Sequence, residues 1–242
     1  MMTGLAGFGI GLIAGSFLAT LVLRWPKGRA VRGRSTCDRC GVSLRWVSLV
    51  PLISFLATRG HCPSCGGRID RTHPVIELLC GVVGATTLSA SPDLAGASAA
   101  VICWLLVALA ALDLRHFWLP DQLTFAVAIV GLSTGTLGVL PSLSDRLIGG
   151  AAGYAALAAI AWSYERVRRR EGLGRGDPKL FGAIGLWLGW QHLPFVVVGA
   201  SVTGLLAAAV MVLRGQAVVA TTRLPFGTLL AVAALGVWLL SR

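Results

Sequence analysis

The sequence contains few charged residues, and this scarcity excludes most classes of soluble protein. Of its 242 residues, 13% are charged and 55% are hydrophobic, and the mean hydropathy is +0.78. A soluble domain of this length needs far more charge to cover its surface. The composition therefore predicts an integral membrane protein.

Negative charge is the scarcest kind, so an acidic residue beside an apolar run is a candidate functional group. The chain has ten Asp and Glu residues against 21 Lys and Arg, a formal net charge of +11. A carboxylate at the edge of the hydrocarbon layer is costly and is rarely kept there without a use. Asp113 closes the apolar run that begins at Val101, and Asp177 directly precedes another such run.

Histidine-based active-site motifs are also missing. The sequence has four histidines and no HExxH motif, which excludes the zinc metalloproteases that depend on that motif. His116 and His192 fall on opposite faces of the predicted membrane topology, so no serine, cysteine and histidine arrangement competes with the aspartates. A transporter using Asp113 and Asp177 as ion ligands is disfavoured, because no acidic residue marks the middle of an apolar run.

The apolar runs predict an all-α integral membrane protein with about eight transmembrane helices, since about 20 residues cross a bilayer core. The predicted spans are 4–23, 74–91, 97–112, 122–140, 145–163, 179–190, 193–213 and 225–241. The sixth is the shortest. We divide the chain into a first transmembrane helix (1–23), a small cytoplasmic Cys-rich loop domain (24–73) and a transmembrane domain with both aspartates (74–242).

Basic residues predict the orientation in the membrane. If the stretch 24–73 is cytoplasmic and the spans alternate after it, 19 of the 21 basic residues are cytoplasmic; only Arg146 and Arg242 are not. This asymmetry follows the positive-inside rule, so both termini are expected outside, with Asp113 and Asp177 at the cytoplasmic face. Topology and anionic lipid explain the net basicity without nucleic acid.

The first apolar run lacks the basic residues that precede the apolar core of a secretory signal peptide. Positive charges follow the run instead, beginning at Arg24. This order predicts a retained transmembrane helix whose N-terminus lies outside.

Two CxxC pairs, with 21 residues between them, predict a structural metal site in the loop. The four cysteines are Cys37, Cys40, Cys62 and Cys65. Four thiolates at such spacing are typical of tetrahedral zinc sites. Two disulfides are the alternative, which a reducing cytoplasm disfavours. Cys80 and Cys103 lie within spans and are expected to be apolar packing residues.

The residues near the aspartates suggest one shared site. Gly174 and Gly176 precede Asp177 and permit close backbone approach beside the acid, although Gly-Asp is also an ordinary turn signal. Asp113 has an alternative role as an interfacial anchor or an ion-pair partner of Arg115. Asp121 follows a proline at the start of a span, where capping of the helix is the alternative to a catalytic role.

Two neighbouring carboxyl groups that share one proton can hydrolyse a peptide bond. The ionised group removes a proton from water as the water attacks the carbonyl carbon, and the protonated group stabilises the developing oxyanion. Like charges a few ångström apart do not both ionise, so such a pair titrates as a unit. Asp113 and Asp177 are the predicted pair.

These residues resemble those of the bacterial type IV prepilin peptidases, membrane aspartic proteases of the GxGD type. The shared motifs follow one another along the chain in the same order as in the family, and they cover nearly the whole chain. They are Gly15 to Leu18, Arg24, Pro26, both CxxC pairs, Pro51 to Leu56, Arg59 to Cys62, Pro74 to Glu77, Asp113 to Asp121, Gly174 to Leu180, Leu188 to Trp190 and Pro225 to Gly227.

The resemblance implies an aspartic endopeptidase that removes the short basic leader of prepilins or pseudopilins, as pilus assembly and protein secretion require. Cleavage is expected after a glycine, at the cytoplasmic face of the bacterial inner membrane. Family members with the long cysteine-bearing loop also N-methylate the new N-terminus from S-adenosylmethionine, and the cysteines bind zinc. By this likeness Asp113 and Asp177 are catalytic, and the supporting residues are Gly174, Gly176, Asp121 and Lys179.

Two departures from the family pattern fall in or beside the loop associated with methylation. The family's asparagine after Leu18 is Ala19 here, and its Arg-Tyr-Pro reads Thr72-His73-Pro74. Both leave the aspartate motifs unchanged. The sequence therefore predicts a leader peptidase that also N-methylates, with a peptidase lacking methyltransferase activity as the alternative. Its expected partners are prepilin or pseudopilin substrates and membrane lipid, and no nucleic acid.

Overall fold

The apolar runs fold into helices in the computed structural model of the chain. The structure describes residues 2–29, 31, 33–170, 172–217, 219 and 222–241. Over these ranges it contains α-helices, short 3-10 helices and two isolated β-bridges, with no β-strand. Met1 and Arg242, the ends of the predicted first and last domains, lie outside the described residues. The expected all-α class is confirmed.

The α-helices of the described residues are numbered in chain order. They are α1 (Met2–Arg24), α2 (Ile53–Ala57), α3 (Thr72–Ala90), α4 (Leu94–His116), α5 (Asp121–Thr136), α6 (Leu143–Arg168), α7 (Asp177–Leu188), α8 (Leu193–Leu213) and α9 (Phe226–Leu240). Single 3-10 turns span Trp25–Lys27, Trp46–Leu49 and Trp190–His192.

Each predicted span coincides with one helix, and the chain is an integral membrane protein. Among the described residues, five helical segments are long and apolar enough to cross a membrane: Met2–Lys27, Thr72–Ala90, Leu94–His116, Leu143–Arg168 and Trp190–Leu213. The other three predicted spans are α5, α7 and α9, with 16, 12 and 15 residues. At a rise of about 1.5 Å per residue, α7 is far shorter than a bilayer core of about 30 Å. The count of eight spans stays a prediction.

The chain forms two compact units, Met1–Ala108 and Leu109–Arg242. In the first unit, a row of buried glycines on α1 packs against α3. These residues are Gly4, Gly7, Gly11 and Gly15. A Cβ atom at Gly11 would collide with the backbone carbonyl of Cys80, and one at Gly15 would lie 2.8 Å from the Cα of Glu77. Small residues of this kind let helix backbones approach closely in membranes.

In the second unit, the short helix α7 is central. Ten of its 12 residues are buried, and it contacts α5, α6 and α9. A helix that is apolar on all sides is stable when protein surrounds it, so α7 need not match the thickness of lipid. Asp177 is the first residue of this buried helix, and the fold therefore fixes its position from three sides.

Candidate active site

Asp113 lies in the last turns of α4 and is held by the first turn of α9. Its side chain is buried, and the residue is 5% exposed. Asp113 Oδ2 accepts hydrogen bonds from the Thr228 backbone N–H at 2.8 Å and from Thr228 Oγ1 at 3.3 Å. The backbone N–H of Gly227 is a further donor. The first N–H groups of a helix have no partner within the helix, so the start of α9 is a suitable place to bind a carboxylate.

Asp177 is held by the glycine turn that precedes it. The residue is 5% exposed, and its Oδ2 accepts the backbone N–H of Gly174 at 2.9 Å. The Asp177 backbone N–H in turn donates to the Gly174 carbonyl at 3.1 Å. A Cβ atom at Gly174 would lie 3.0 Å from Asp177 Oδ2, so a side chain there would crowd the carboxylate.

The two aspartate-bearing segments meet at Leu119. A Cβ atom at Gly176, the residue before Asp177, would lie 2.8 Å from Leu119 Cβ. One at Gly227, which touches Asp113, would lie 2.8 Å from Leu119 Cδ1. The structure thus brings together the two acids that the sequence paired.

The surroundings of Asp177 change the pKa of its carboxyl group. Asp177 precedes the apolar run 179–190 and lies outside the five candidate spans. Burial is the main cause that raises the pKa of Asp177 to about 7, and the negative charge of Asp113 adds to it. The hydrogen bond from Gly174 acts in the opposite direction. Asp177 therefore holds a proton more readily than an exposed aspartate does.

Asp121 and Lys179 form an ion pair beside this site. Lys179 Nζ lies 2.8 Å from Asp121 Oδ1 and 2.9 Å from Oδ2. Helix α5 begins at Asp121, an acid of its first turn, and the residue before it, Pro120, makes no side-chain cap hydrogen bond. The choice between a helix-start role and a catalytic role for Asp121 stays a prediction. Both side chains are more than 40% exposed, and an exposed pair contributes about 1 kcal/mol or less. The pair connects the first turns of α5 and α7.

Thr228 is the residue at this site that sequence reasoning missed. The preceding segment, Pro225 to Gly227, is a landmark of the family resemblance, and the sequence assigns it no role. Thr228 donates both to Asp113 and, through Oγ1, to the Ala110 carbonyl at 2.9 Å. A threonine in the first turn of an apolar helix is too common to be singled out. Pro225, the residue directly before α9, is the one available signal.

The four cysteines of the two CxxC pairs, here called knuckles, converge in the first unit. Their sulfur atoms all lie within 4.8 Å of one another, and the Sγ atoms of Cys37 and Cys65 are 4.0 Å apart. All four are free thiols, so the disulfide alternative does not hold in this structure. Zn–S bonds of about 2.3 Å in a tetrahedron require sulfur atoms about 3.8 Å apart, so the cluster fits one metal ion.

The two knuckles have the same backbone geometry. The N–H of Cys37 donates to the carbonyl five residues later, at 2.9 Å, and that of Cys62 does the same at 2.8 Å. Gly41 and Gly66 follow the pairs with φ of 72° and 65°, a region that favours glycine. Each knuckle is closed by one antiparallel bridge. Cys80 and Cys103 are buried in α3 and α4, as predicted for packing residues.

Family models match both parts of the chain. The model of the type IV leader peptidase family matches residues 100–209, a range that contains Asp113 and Asp177. The model of the bacterial Peptidase A24 N-terminal domain matches residues 10–90, which contain the four knuckle cysteines. No solved structure matches the chain.

Several curated relatives carry the same name. A prepilin leader peptidase/N-methyltransferase of Stutzerimonas stutzeri is 34% identical over 249 residues, covering 93% of this chain and 86% of the relative. The protein of that name from Aeromonas hydrophila is 37% identical over 83% of this chain and 69% of the relative. That of Burkholderia pseudomallei is 40% identical over 82% of this chain, but this covers only 64% of the relative's length.

The family match covers the aspartate-bearing region, and the similarity to the Stutzerimonas stutzeri protein extends over most of both chains. Two unrelated features of the geometry, buried paired aspartates and a four-cysteine cluster, lie inside the two matched regions. On this evidence the chain belongs to the type IV leader peptidase family.

Proposed function

We propose that the chain is an aspartic endopeptidase that removes the leader of type IV prepilins or pseudopilins after a glycine and N-methylates the new N-terminus. The observation that carries this proposal is the pair of buried carboxyl groups, Asp113 and Asp177, in one compact unit. The names of the relatives support the substrate class and the second activity.

Cleavage would use the two carboxyl groups and one proton. The ionised carboxylate removes a proton from water, and the water oxygen attacks the carbonyl carbon of the glycine that ends the leader. The protonated carboxyl donates a hydrogen bond to the developing oxyanion and then passes its proton to the leaving amine. The proton belongs to the pair of Asp113 and Asp177 rather than to either residue.

The supporting residues would position this pair. Gly174 supplies the N–H that orients Asp177, and Gly176 leaves room for Leu119. Lys179 pairs with Asp121 and so restrains the start of α7, where Asp177 lies. Thr228 and Gly227 orient Asp113 in the same way from α9.

The cysteine cluster would hold a structural zinc ion in the loop domain 24–73, with S-adenosylmethionine as the methyl donor. Four thiolates suit zinc, and a small loop gains from the metal the stability that a hydrophobic core would otherwise supply. Zinc supplies no bond-making chemistry in this scheme. The peptidase activity is assigned to the domain 74–242, and the first helix, 1–23, anchors the loop.

The placement of charge supports a location in the bacterial inner membrane. Both termini would lie outside, and the cysteine loop and both aspartates would face the cytoplasm, where a leader remains after synthesis. The basic loops would lie against anionic lipid. Nucleic acid has no part in this function.

Replacement of either aspartate tests the proposal. We expect Asp113→Asn and Asp177→Asn to lower leader cleavage at least about a thousandfold, because neither retains a shared proton. Cleavage of a prepilin by purified enzyme in detergent measures this, with membrane insertion checked by fractionation. Glu165→Gln, which neutralises an exposed acid of α6, is the matched control and should cleave normally. Normal cleavage by either Asn variant would contradict the assignment of Asp113 and Asp177 as the catalytic pair.

A leader peptidase without methyl transfer is the second candidate. Its basis is the departure from the family pattern at Thr72-His73-Pro74, whereas the names of the relatives favour the bifunctional enzyme. Mass spectrometry of the mature substrate separates the two. An unmodified N-terminus on fully cleaved product excludes methylation, and a mass increase of one methyl group supports the bifunctional enzyme.

A further inference from the structure

The two carboxyl groups of the active site are held by different sets of hydrogen-bond donors. Asp113 accepts from the backbone N–H groups of Gly227 and Thr228 and from the Thr228 hydroxyl. Among the described residues, the donor to Asp177 is the Gly174 N–H alone. Both acids are 5% exposed, so the difference between them lies in their donors rather than in their contact with water.

This difference favours a negative charge on Asp113 and a proton on Asp177. Donors that point at a carboxylate stabilise its ionised form, and hydrogen bonds to a charged acceptor are about twice as strong as neutral ones. Asp177 has a single donor to offset its burial, and its pKa is raised to about 7. The negative charge of Asp113 contributes to that rise. The pair shares one proton, but it shares it unevenly.

The Thr228 hydroxyl is the side-chain donor of the set on Asp113, and it lies between two acceptors. Its Oγ1 is 3.3 Å from Asp113 Oδ2 and 2.9 Å from the carbonyl oxygen of Ala110, one turn earlier on α4. A hydroxyl group has one hydrogen to donate. It can therefore donate to Oδ2 while Asp113 is charged, and turn to Ala110 once a proton on Asp113 makes the carboxyl a weaker acceptor.

We propose that Thr228 is a positioning residue that makes Asp113 the base of the pair and leaves Asp177 as the acid. The inference rests on the proposed cleavage function. Both Thr228 donors meet Oδ2, so Oδ1 is the oxygen assigned to the proton of the attacking water. The hydroxyl thus orients the carboxylate and stabilises the charge that it needs to act as a base.

The proton balance of the step follows from these roles. Asp113 takes one proton from water as the water oxygen bonds to the carbonyl carbon, and Asp177 gives one proton to the leaving nitrogen. The C–N bond breaks with its electron pair on nitrogen, and the pair ends with one proton, now on Asp113. Return of this proton to Asp177 restores the starting state, and the Thr228 hydroxyl favours that return because it again donates to a charged Asp113.

The other ionisable groups near Asp113 lie on three elements, and α9 itself carries no ionisable side chain. Asp177 is the group whose charge depends directly on Asp113, whereas Lys179 is paired with Asp121. A substitution at Thr228 leaves all of the neighbouring ionisable groups in place. They are Asp177 and Lys179 of α7, Asp121 of α5, and Arg115 and His116 in the last turn of α4.

Removal of the hydroxyl alone tests the proposal in leader cleavage by the purified full-length enzyme. Thr228→Val keeps the shape and the backbone N–H. We expect the acidic limb of the pH profile of kcat/KM to move up by about one pH unit, because the ionised base then persists only at higher pH. We also expect kcat to fall about tenfold with KM nearly unchanged. Thr228→Ser restores a hydroxyl and should return both quantities close to wild type.

Thr203→Val is the matched control for the loss of a threonine hydroxyl. Thr203 is also a half-buried residue of a helix in the second unit, and its Oγ1 donates to the Gly199 carbonyl of the same helix at 2.8 Å. Its replacement should leave the pH profile unchanged. A wild-type profile in Thr228→Val, or no recovery in Thr228→Ser, would overturn the positioning role.

Infrared spectroscopy tests the division of roles without turnover. Between about pH 5 and pH 9, the wild-type protein should lose the C=O stretching band of a protonated buried carboxyl. We expect this band to be missing from Asp177→Asn and to remain in Asp113→Asn, where it should disappear at lower pH because the neighbouring negative charge is gone. The opposite result would reverse the two roles and overturn the inference. It would leave the peptidase proposal standing, which is judged by the cleavage activity of the same two variants.

Discussion

Arg146 shows how a single charged residue can be used inside a membrane protein. It is one of the two basic residues that the predicted topology leaves outside the cytoplasm, and it is 1% exposed. Its guanidinium donates hydrogen bonds to a set of backbone carbonyls in the second unit. These belong to Gly131, Val139, Leu140, Pro141, Leu186 and Trp187. The guanidinium therefore donates to carbonyls in the last turn of α7 and in the loop after α5, positions where a helix end or loop leaves carbonyl groups without helical partners.

We expect Arg146→Met to destabilise the second unit. Methionine fills a similar volume but leaves several buried carbonyls without donors, at about 1–3 kcal/mol for each unsatisfied group. Thermal unfolding in detergent should show a clearly lower midpoint. Arg168→Met, in the exposed last turn of the same helix, is the control and should unfold like the wild type. An unchanged midpoint for Arg146→Met would contradict the structural role.

At the scale of elements, close packing between helices stabilises the fold, because the hydrophobic effect contributes little to helix association within lipid. Apolar side chains gain little by leaving lipid for protein, so helix pairs depend on van der Waals contact. The glycine face of α1 provides that contact with α3. This contact also determines the shape of a cavity in the first unit, because Glu77 and the end of α1 both line it.

We expect Gly11→Leu to separate α1 from α3, because a Cβ atom at Gly11 already collides with the α3 backbone. Gly9→Leu, on the same helix, is the matched control, since a Cβ atom there meets nothing within 4 Å. Limited proteolysis of the detergent-solubilised protein should cut the loop between α1 and α3 faster in the Gly11 variant alone. Equal cutting of both variants would count against the glycine contact.

At the scale of the whole molecule, the two candidate sites lie in different compact units. The cysteine cluster and the cavity belong to residues 1–108, and the paired aspartates belong to residues 109–242. The two family models divide the chain in a similar way. A change in the metal site should therefore affect methyl transfer more than cleavage.

We expect Cys62→Ser to remove most of the bound metal and to lower methyl transfer, because a cluster with three thiolates holds zinc more weakly and the loop associated with methylation loses that support. Leader cleavage should fall much less. Cys80→Ser is the control, since Cys80 is buried in α3 away from the cluster. Inductively coupled plasma mass spectrometry measures the number of metal ions bound per protein chain. Full metal content in Cys62→Ser would refute the four-cysteine site.

The sequence by itself determined the class and the helix positions, and it supplied the candidate residues for the chemistry. Apolar runs, CxxC spacing and isolated acids are local patterns, and their physical causes are local: the thickness of lipid, the reach of a thiolate and the cost of burying charge. For this reason the helices and both knuckles could be predicted. Only the tertiary structure decided which groups hold those residues in place. Thr228 binds Asp113 from 115 positions away, and Lys179 binds Asp121 across 58, so no periodicity or spacing in the chain could reveal either contact. The cavity is decided in the same way, because its walls exist only where helix ends and the cysteine-bearing loop pack together.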